Sequence, residues 1–284
     1  MMSTTHEKQL LAAAVAGDEQ ALEQVLHSVQ DMVFNLSLRM LGTIPDAEDA
    51  AQEILIKVMT HLSSFRGDSA LSTWVYRIAV NHLTSCQKGM FKDHPLSFEE
   101  YGADILSDRA HGLPDLSGGV DRALLARELK LSCTCVMLQC LDAPSRAVYI
   151  LGTMFGLDSR TAAQILGTTP QAYRQNLSRT RKKMAAFLGA YCGLGGGPCR
   201  CADRVDYAVA SHRIDPQDPG FCALHPASPQ ATVHTGAMEE LDALSQVFAD
   251  LPHYRSPQQV SDWVHQLVRS KSFRTAVNGQ GGDA

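Results

Sequence analysis

Three groups of side chains in this sequence have the types and spacing to hold an ion or to recognise a charged partner. Cys192-x6-Cys199-x-Cys201 with Cys222, and His225 beyond it, offers the thiolates of a tetrahedral zinc site, although the spacing is not a standard zinc-ribbon pair. The same thiols could instead bridge as a redox pair, or stand free in a small structural module. From Arg174 to Lys183 the chain reads RQNLSRTRKK, five positive residues and no acid, which suits phosphate. From Asp46 to Glu53 it reads DAEDAAQE, four acids and no base. An acidic face and a basic helix on one chain can meet two different partners, although each also complements a helix dipole.

The elements that must position these groups are helical. Apolar residues recur at spacings of three and four, β-branched runs are few, and 45% hydrophobic with 19% charged residues can supply a core. Gly17-Asp18 separates two helices, the second carrying Leu22, Val25, Leu26, Val29, Val33, Leu36 and Met40 on one stripe. Gly42 ends it, and Pro45-Asp46 opens a helix that buries Ala50, Ala51, Ile54, Val58 and Leu62. Phe65 to Ser69 is a short loop before a helix from Leu71 to Cys86, with Trp74, Val75 and Ile78 facing inward. From Lys88 to Gly119 the pattern dissolves into a linker too long for an ordinary intradomain connection.

A second helical block follows. Arg160 to Gly167 is a short helix closed by glycine, Thr168-Thr169-Pro170 a capped turn, and Gln171 to Leu188 a second helix. This is helix–turn–helix spacing, with Ala163 small enough for close crossing. Such a motif places its second helix in the major groove: Gln171, Tyr173, Arg174, Gln175 and Asn176 can reach bases, and Arg179, Arg181, Lys182 and Lys183 can hold backbone. A solvated amphipathic helix is the plain alternative. Gly193 to Pro198 reads as a hinge, and helices are expected from Met238 to Ala249 and from Pro257 to Arg269. Cys133 and Cys140, seven apart on one helix face, read as core.

These segments resemble a known family, the bacterial RNA polymerase sigma factors of the sigma-70 family, in their small extracytoplasmic-function (ECF) type. Asp46–Glu53 is similar to the acidic helix of sigma region 2, FRGDSALSTWVYRIAVN (65–81) to its promoter-melting segment, and Leu141–Tyr149 with the helix–turn–helix and LSRTRKK (177–183) to region 4. The matches run in the family's order over about residues 10 to 190, with no region 3 between them.

The resemblance implies an all-α fold of two helical domains joined by a flexible linker: region 2 (9–88), linker (89–119) and region 4 (120–191). A Cys-containing helical C-terminal extension (192–284) would follow, with a regulatory role as one reading. It further implies that Asp49, Gln52 and Glu53 grip the β′ clamp of core RNA polymerase and that region 4 meets the β-flap. Phe65, Arg66, Gly67, Asp68 and Ser69 would receive a flipped base of the −10 element of promoter DNA, with Trp74, Tyr76, Arg77 and Asn81 on the helix behind. Trp74, on the apolar face, also reads as core. Gln171, Tyr173, Arg174, Gln175, Asn176, Arg179, Arg181, Lys182 and Lys183 would read −35 DNA. An anti-sigma factor is a further partner that such a protein could have.

Two departures stand out. Gly152-Thr153 replaces a charged pair common in region 4, and Asn176 a common basic residue, so the −35 preference should shift while DNA binding survives. The expected function is to direct core polymerase to specific promoters and aid −10 melting. A helix–turn–helix regulator acting without the polymerase is the alternative, and it would need neither Asp46–Glu53 nor Phe65–Asn81. The histidines are scattered and there is no nucleotide-binding glycine loop, so no enzyme is expected. No cofactor is required, with zinc in the extension as one reading. A polar start (Met1–Lys8) and the lack of a membrane-length apolar stretch give the expectation of a cytoplasmic protein with reduced thiols.

Overall fold

The computed structural model describes residues 4–86, 89, 91, 93–227 and 243–269, and among them the regular structure is helical, with two isolated bridges and no strand. The first block holds α1 (Thr4–Val15), α2 (Glu19–Leu41), α3 (Ile44–His61) and α4 (Leu71–Ser85). Local chemistry sets its boundaries. Asp18 accepts from the Ala21 amide to start α2, and Thr43 accepts from the Asp46 amide to start α3, with Pro45 in the first turn. Every member of the α2 stripe from Leu22 to Met40 is buried.

The second block holds α6 (Arg122–Gln139), α7 (Ala143–Tyr149), a π-helical turn (Ile150–Met154), α8 (Ser159–Leu166) and α9 (Pro170–Tyr191). The two blocks pack directly. α4 lies on α7 and α8, and α2 lies on α6. Arg146 of α7 donates to the Met40 carbonyl at the end of α2 and to the carbonyls of Leu138 (2.9 Å), Gln139 (3.3 Å) and Leu141 (2.8 Å). It thereby closes the C-termini of two helices at once. Burial pulls its pKa down to about 10.

Between the blocks, the segment read as a structureless linker contains α5 (Phe98–Leu106). Ser97 and Glu100 form a reciprocal capping box, and Tyr101 is buried against Phe187 of α9 with rings stacked at 5.5 Å. The glycine run after α9 is a tight turn rather than a hinge. A Cβ on Gly195 or Gly197 would strike the backbone of Leu188 or Tyr191, so glycine is there for close approach.

The extension adds α10 (Val205–Ala210), α11 (Gly220–Ala223), α12 (Ala243–Ala249) and α13 (Gln258–Val268). α10 packs on α6 through Leu125, Leu129, Val205, Ala208 and Ile214. α12 covers α9 and the π-turn, while α13 covers α2 and α3. Of the helix expected over 238–249, residues 238–242 lie outside the described residues, as does Leu241. The second expected helix is α13, begun and ended one residue inside the expected bounds.

Candidate nucleic-acid and protein interfaces

The α8–turn–α9 unit is built from three local devices. Asp158 accepts from the amides of Arg160 and Thr161 and from the Thr161 hydroxyl, and those bonds hold its carboxyl below the usual range. Gly167, at φ 63°, closes α8 in the left-handed region. Thr169 then accepts from the Ala172 amide and Pro170 starts α9. Ala162, Ala163 and Ile165 are buried where the two helices cross.

This crossing leaves one face of α9 in solvent. Gln171, Arg174, Gln175, Arg179, Lys182 and Lys183 are exposed, and Asn176 is half-buried. Arg174 lies 3.1 Å from the Ser159 hydroxyl. Two residues assigned to DNA from the sequence are placed otherwise. Tyr173 is 2% exposed, its hydroxyl 3.4 Å from the Val148 carbonyl, so it is a core residue. Arg181 is half-buried and donates to Thr153 Oγ1 (3.2 Å) and the Gly152 carbonyl (3.1 Å), which ties α9 to the π-turn. The departure at Gly152 has its reason here. A Cβ at this position would overlap Tyr173 Oη and come 2.6 Å from Leu177 Cδ2. The spacing Tyr173–Leu177–Thr180–Met184, all buried, is the signal that marks Tyr173 as core.

In the first block, Arg66, Gly67 and Asp68 are exposed, while Phe65 and Ser69 are half-buried. Phe65 packs on Trp74 with ring centroids 5.5 Å apart, and Trp74 itself is half-buried against the core. Arg77 and Asn81 lie four apart on the exposed face of α4. Tyr76, assigned to −10 DNA from the sequence, is instead buried, its ring edge-on to Phe155 of the second block at 5.7 Å. Burial pushes its hydroxyl pKa well above the ordinary tyrosine value.

On α3, Asp49 and Glu53 are exposed and Gln52 half-buried, one turn apart on one face. Glu53 lies 3.3 Å from His82 Nε2. Burial, then the neighbouring Asp49, raises the Glu48 pKa beside them. This is a rigid acidic surface suited to a basic partner.

The four cysteines proposed together are not brought together. Cys192, Cys199 and Cys201 line one small cavity with Cys133 of α6, about 30 Å³ in volume. Cys222 stands elsewhere, its amide on Glu128 Oε2 (2.7 Å) and its thiol on the Leu124 carbonyl (3.9 Å). Among the described residues no group of three or more metal-ligating side chains is placed to hold an ion, and the eight cysteines are free thiols. Burial pushes Cys133 up to about 12 and Cys199 up to about 11. On α6 Cys135 is buried, and Cys133 and Cys140, read as core, are half-buried and packed against that core.

Three polar residues that organise the fold carry no local sequence signal. Asn35 and Arg39, 2% and 3% exposed in the C-terminal half of α2, hold the chain around Tyr254, and Asp104 of α5 accepts from Tyr207 and from Arg213 (2.6 Å) of the extension.

The family description "Sigma-70 region 2" matches residues 25–85, and "Sigma-70, region 4" matches residues 136–184. The RNA polymerase sigma-H factor of Pseudomonas aeruginosa is 27% identical over 66% of this chain and 96% of its own length. The ECF RNA polymerase sigma factor SigM of Mycobacterium tuberculosis is 28% identical over 65% of this chain and 87% of its own. The solved structure of CnrH in complex with the cytosolic domain of CnrY is 21% identical, with a TM-score of 0.47, and covers 64% of this chain and 96% of that one.

Proposed function

This chain belongs to the sigma-70 family, in its ECF type, and directs RNA polymerase to promoters; from that premise we propose how its surfaces divide the work. Region 2 corresponds to the first block, region 4 to the second, and the segment from residue 192 onward is a regulatory extension.

Asp49, Gln52 and Glu53 are the contact to core polymerase, its β′ clamp. They sit on a helix whose opposite side is packed by Ala50, Ala51, Ile54 and Leu55, so the acids are held in register. Their charge sets approach and orientation more than affinity.

The loop Arg66–Ser69 with Arg77 and Asn81 receives the −10 strand. Extruding a base costs a few kcal/mol. Stacking on an aromatic returns about 1–3 kcal/mol per base, and Phe65 and Trp74 stand next to the loop to supply it. Arg77 holds phosphate and Asn81 reaches a base edge. The protein makes and breaks no covalent bond in this scheme.

On α9, Gln171, Arg174, Gln175 and Asn176 face the −35 bases, with Arg179, Lys182 and Lys183 on phosphate. Asn or Gln can pair bidentately with adenine, so an adenine-containing −35 element fits this helix. Region 4 is also the block that meets the β-flap.

The observation that carries this reading is the pairing of an exposed helix–turn–helix with an exposed loop-and-helix face on separate blocks of one chain. The test is a native gel with purified core polymerase and a labelled promoter duplex. Wild type should give a ternary complex. Asp49→Lys/Glu53→Lys should weaken core capture about tenfold or more, and Arg179→Ala/Lys182→Ala/Lys183→Ala should leave core capture and weaken the DNA step. A ternary complex unchanged by both sets would refute the division.

A further inference from the structure

The segment 244–268, absent from both family matches, is built against both promoter-reading blocks at once. Phe248 of α12 is fully buried edge-on to Tyr149 of the second block. Ten residues later α13 buries Val260, Val264 and Val268 on α2 and α3 of the first. Between them the chain is held by polar groups of α2. Asn35 accepts from the Tyr254 amide (2.9 Å) and donates to its carbonyl (2.6 Å), Arg39 donates to the Pro252 carbonyl (2.6 Å), and Asp31 accepts from the Ser256 amide (2.7 Å). A buried asparagine that satisfies both backbone groups of a residue 219 positions away specifies one register for that chain.

What this segment spans cannot stay closed on a promoter. Elements at −10 and −35 lie about 25 base pairs apart, roughly 85 Å along a B-form duplex at ~34–36 Å per turn. Here α4 of the −10 block packs on α8 of the helix–turn–helix, and Tyr76 touches Phe155. A conformation that buries Tyr76 between the blocks cannot place both blocks on their elements at once.

We propose that residues 244–268 are an intramolecular latch that holds the −10-reading block against the −35-reading block, and that core polymerase releases it. Release follows from position. α13 packs on α3, the helix that carries Asp49 and Glu53, and its N-terminal end lines a surface cavity with Ile44, Pro45 and Glu48. Asp49 and Glu53 stay exposed beside α13, so a partner that grips them and extends toward the Ile44–Glu48 end of α3 would compete with α13. Only the fraction of molecules that is open binds promoter, so loosening the latch raises apparent affinity by the same factor.

The inference rests on the promoter-directing reading, and the experiment separates the two. Spectroscopic labels are placed on the full-length chain at Ser63 and Ala186, exposed residues of the two blocks, through a non-cysteine handle. Their separation is measured with and without core polymerase, and run-off transcription is measured on the same samples. Wild type should be short alone and long with core. Val264→Asp should be long without core and give about tenfold more transcript at limiting protein. Should Val264→Asp lose amide protection in α2–α4, Asn35→Ala, which removes only the grip on Tyr254 and one intrahelical bond, is read in its place. An unchanged separation while α13 exchange shows that helix released would overturn the latch. Equal transcript from wild type and released variant would overturn its regulatory role and leave the function standing. No transcript from either would sink the function, while the separation still decides the latch.

Discussion

Asn35→Ala is the most informative single change in the first block. Asn35 is buried in α2, accepts from the Tyr254 amide at 2.9 Å and donates to the Tyr254 carbonyl at 2.6 Å. Alanine removes both partners and leaves an N–H and a C=O in a site where Tyr254 is itself 2% exposed. Each unsatisfied buried group costs about 1–3 kcal/mol, so the local opening of 251–268 should become easier by about 3 kcal/mol. At 1.4 kcal/mol per decade this is about a hundredfold in opening constant. The assay is native-state hydrogen exchange at the amides of Val264 to Val268, which bond within α13 and not to Asn35. Their exchange should accelerate by that factor while α3 stays protected. Acceleration of less than about threefold would refute the reasoning that these two bonds anchor the segment.

Gly152→Ala should cost about 1–3 kcal/mol in urea unfolding, because the new methyl meets Tyr173 and Leu177, and Tyr173→Phe in the same chain should recover part of it. Arg179→Ala/Lys182→Ala/Lys183→Ala should lower the slope of log affinity against log salt by about 2 to 3 in duplex binding, as three phosphate contacts require. Asp104 gives a pH signature. Burial opposes its ionisation, but hydrogen bonds from Tyr207 and Arg213 outweigh that and lower its pKa. Its contribution is therefore complete above the unfolded aspartate value of about 3.9 and is lost as pH falls through the lower folded value. Melting temperature should then fall more between pH 5 and pH 3 for wild type than for Asp104→Asn.

The sequence made legible whatever short-range chemistry encodes. Asp18 and Thr169 as caps, Gly167 as a stop, Ala163 at a crossing and the α2 stripe are all local signals, and all are found where spacing put them. The capping box Ser97-x-x-Glu100 is equally local, but Pro95 and the scattered charge around it give that segment the look of a linker. Tyr76 and Tyr173 show a different limit. Tyr173 shares its helical spacing with the buried Leu177, Thr180 and Met184, a core signal that the DNA-facing motif masks, whereas Tyr76 is decided by Phe155 of the other block, which no local spacing announces. Pairings such as Asn35 with Tyr254, or Cys133 with Cys199, join residues far apart in the chain and have no periodicity to betray them.

If this chain brings core polymerase to promoters through its two blocks, run-off transcription from a promoter library, with purified core polymerase and with or without this protein, must show it. Promoter-specific transcripts should depend on the protein and vanish with Asp49→Lys/Glu53→Lys. No protein-dependent transcript, alongside clean duplex binding that survives that double substitution, would contradict it and leave a helix–turn–helix regulator that works without the polymerase.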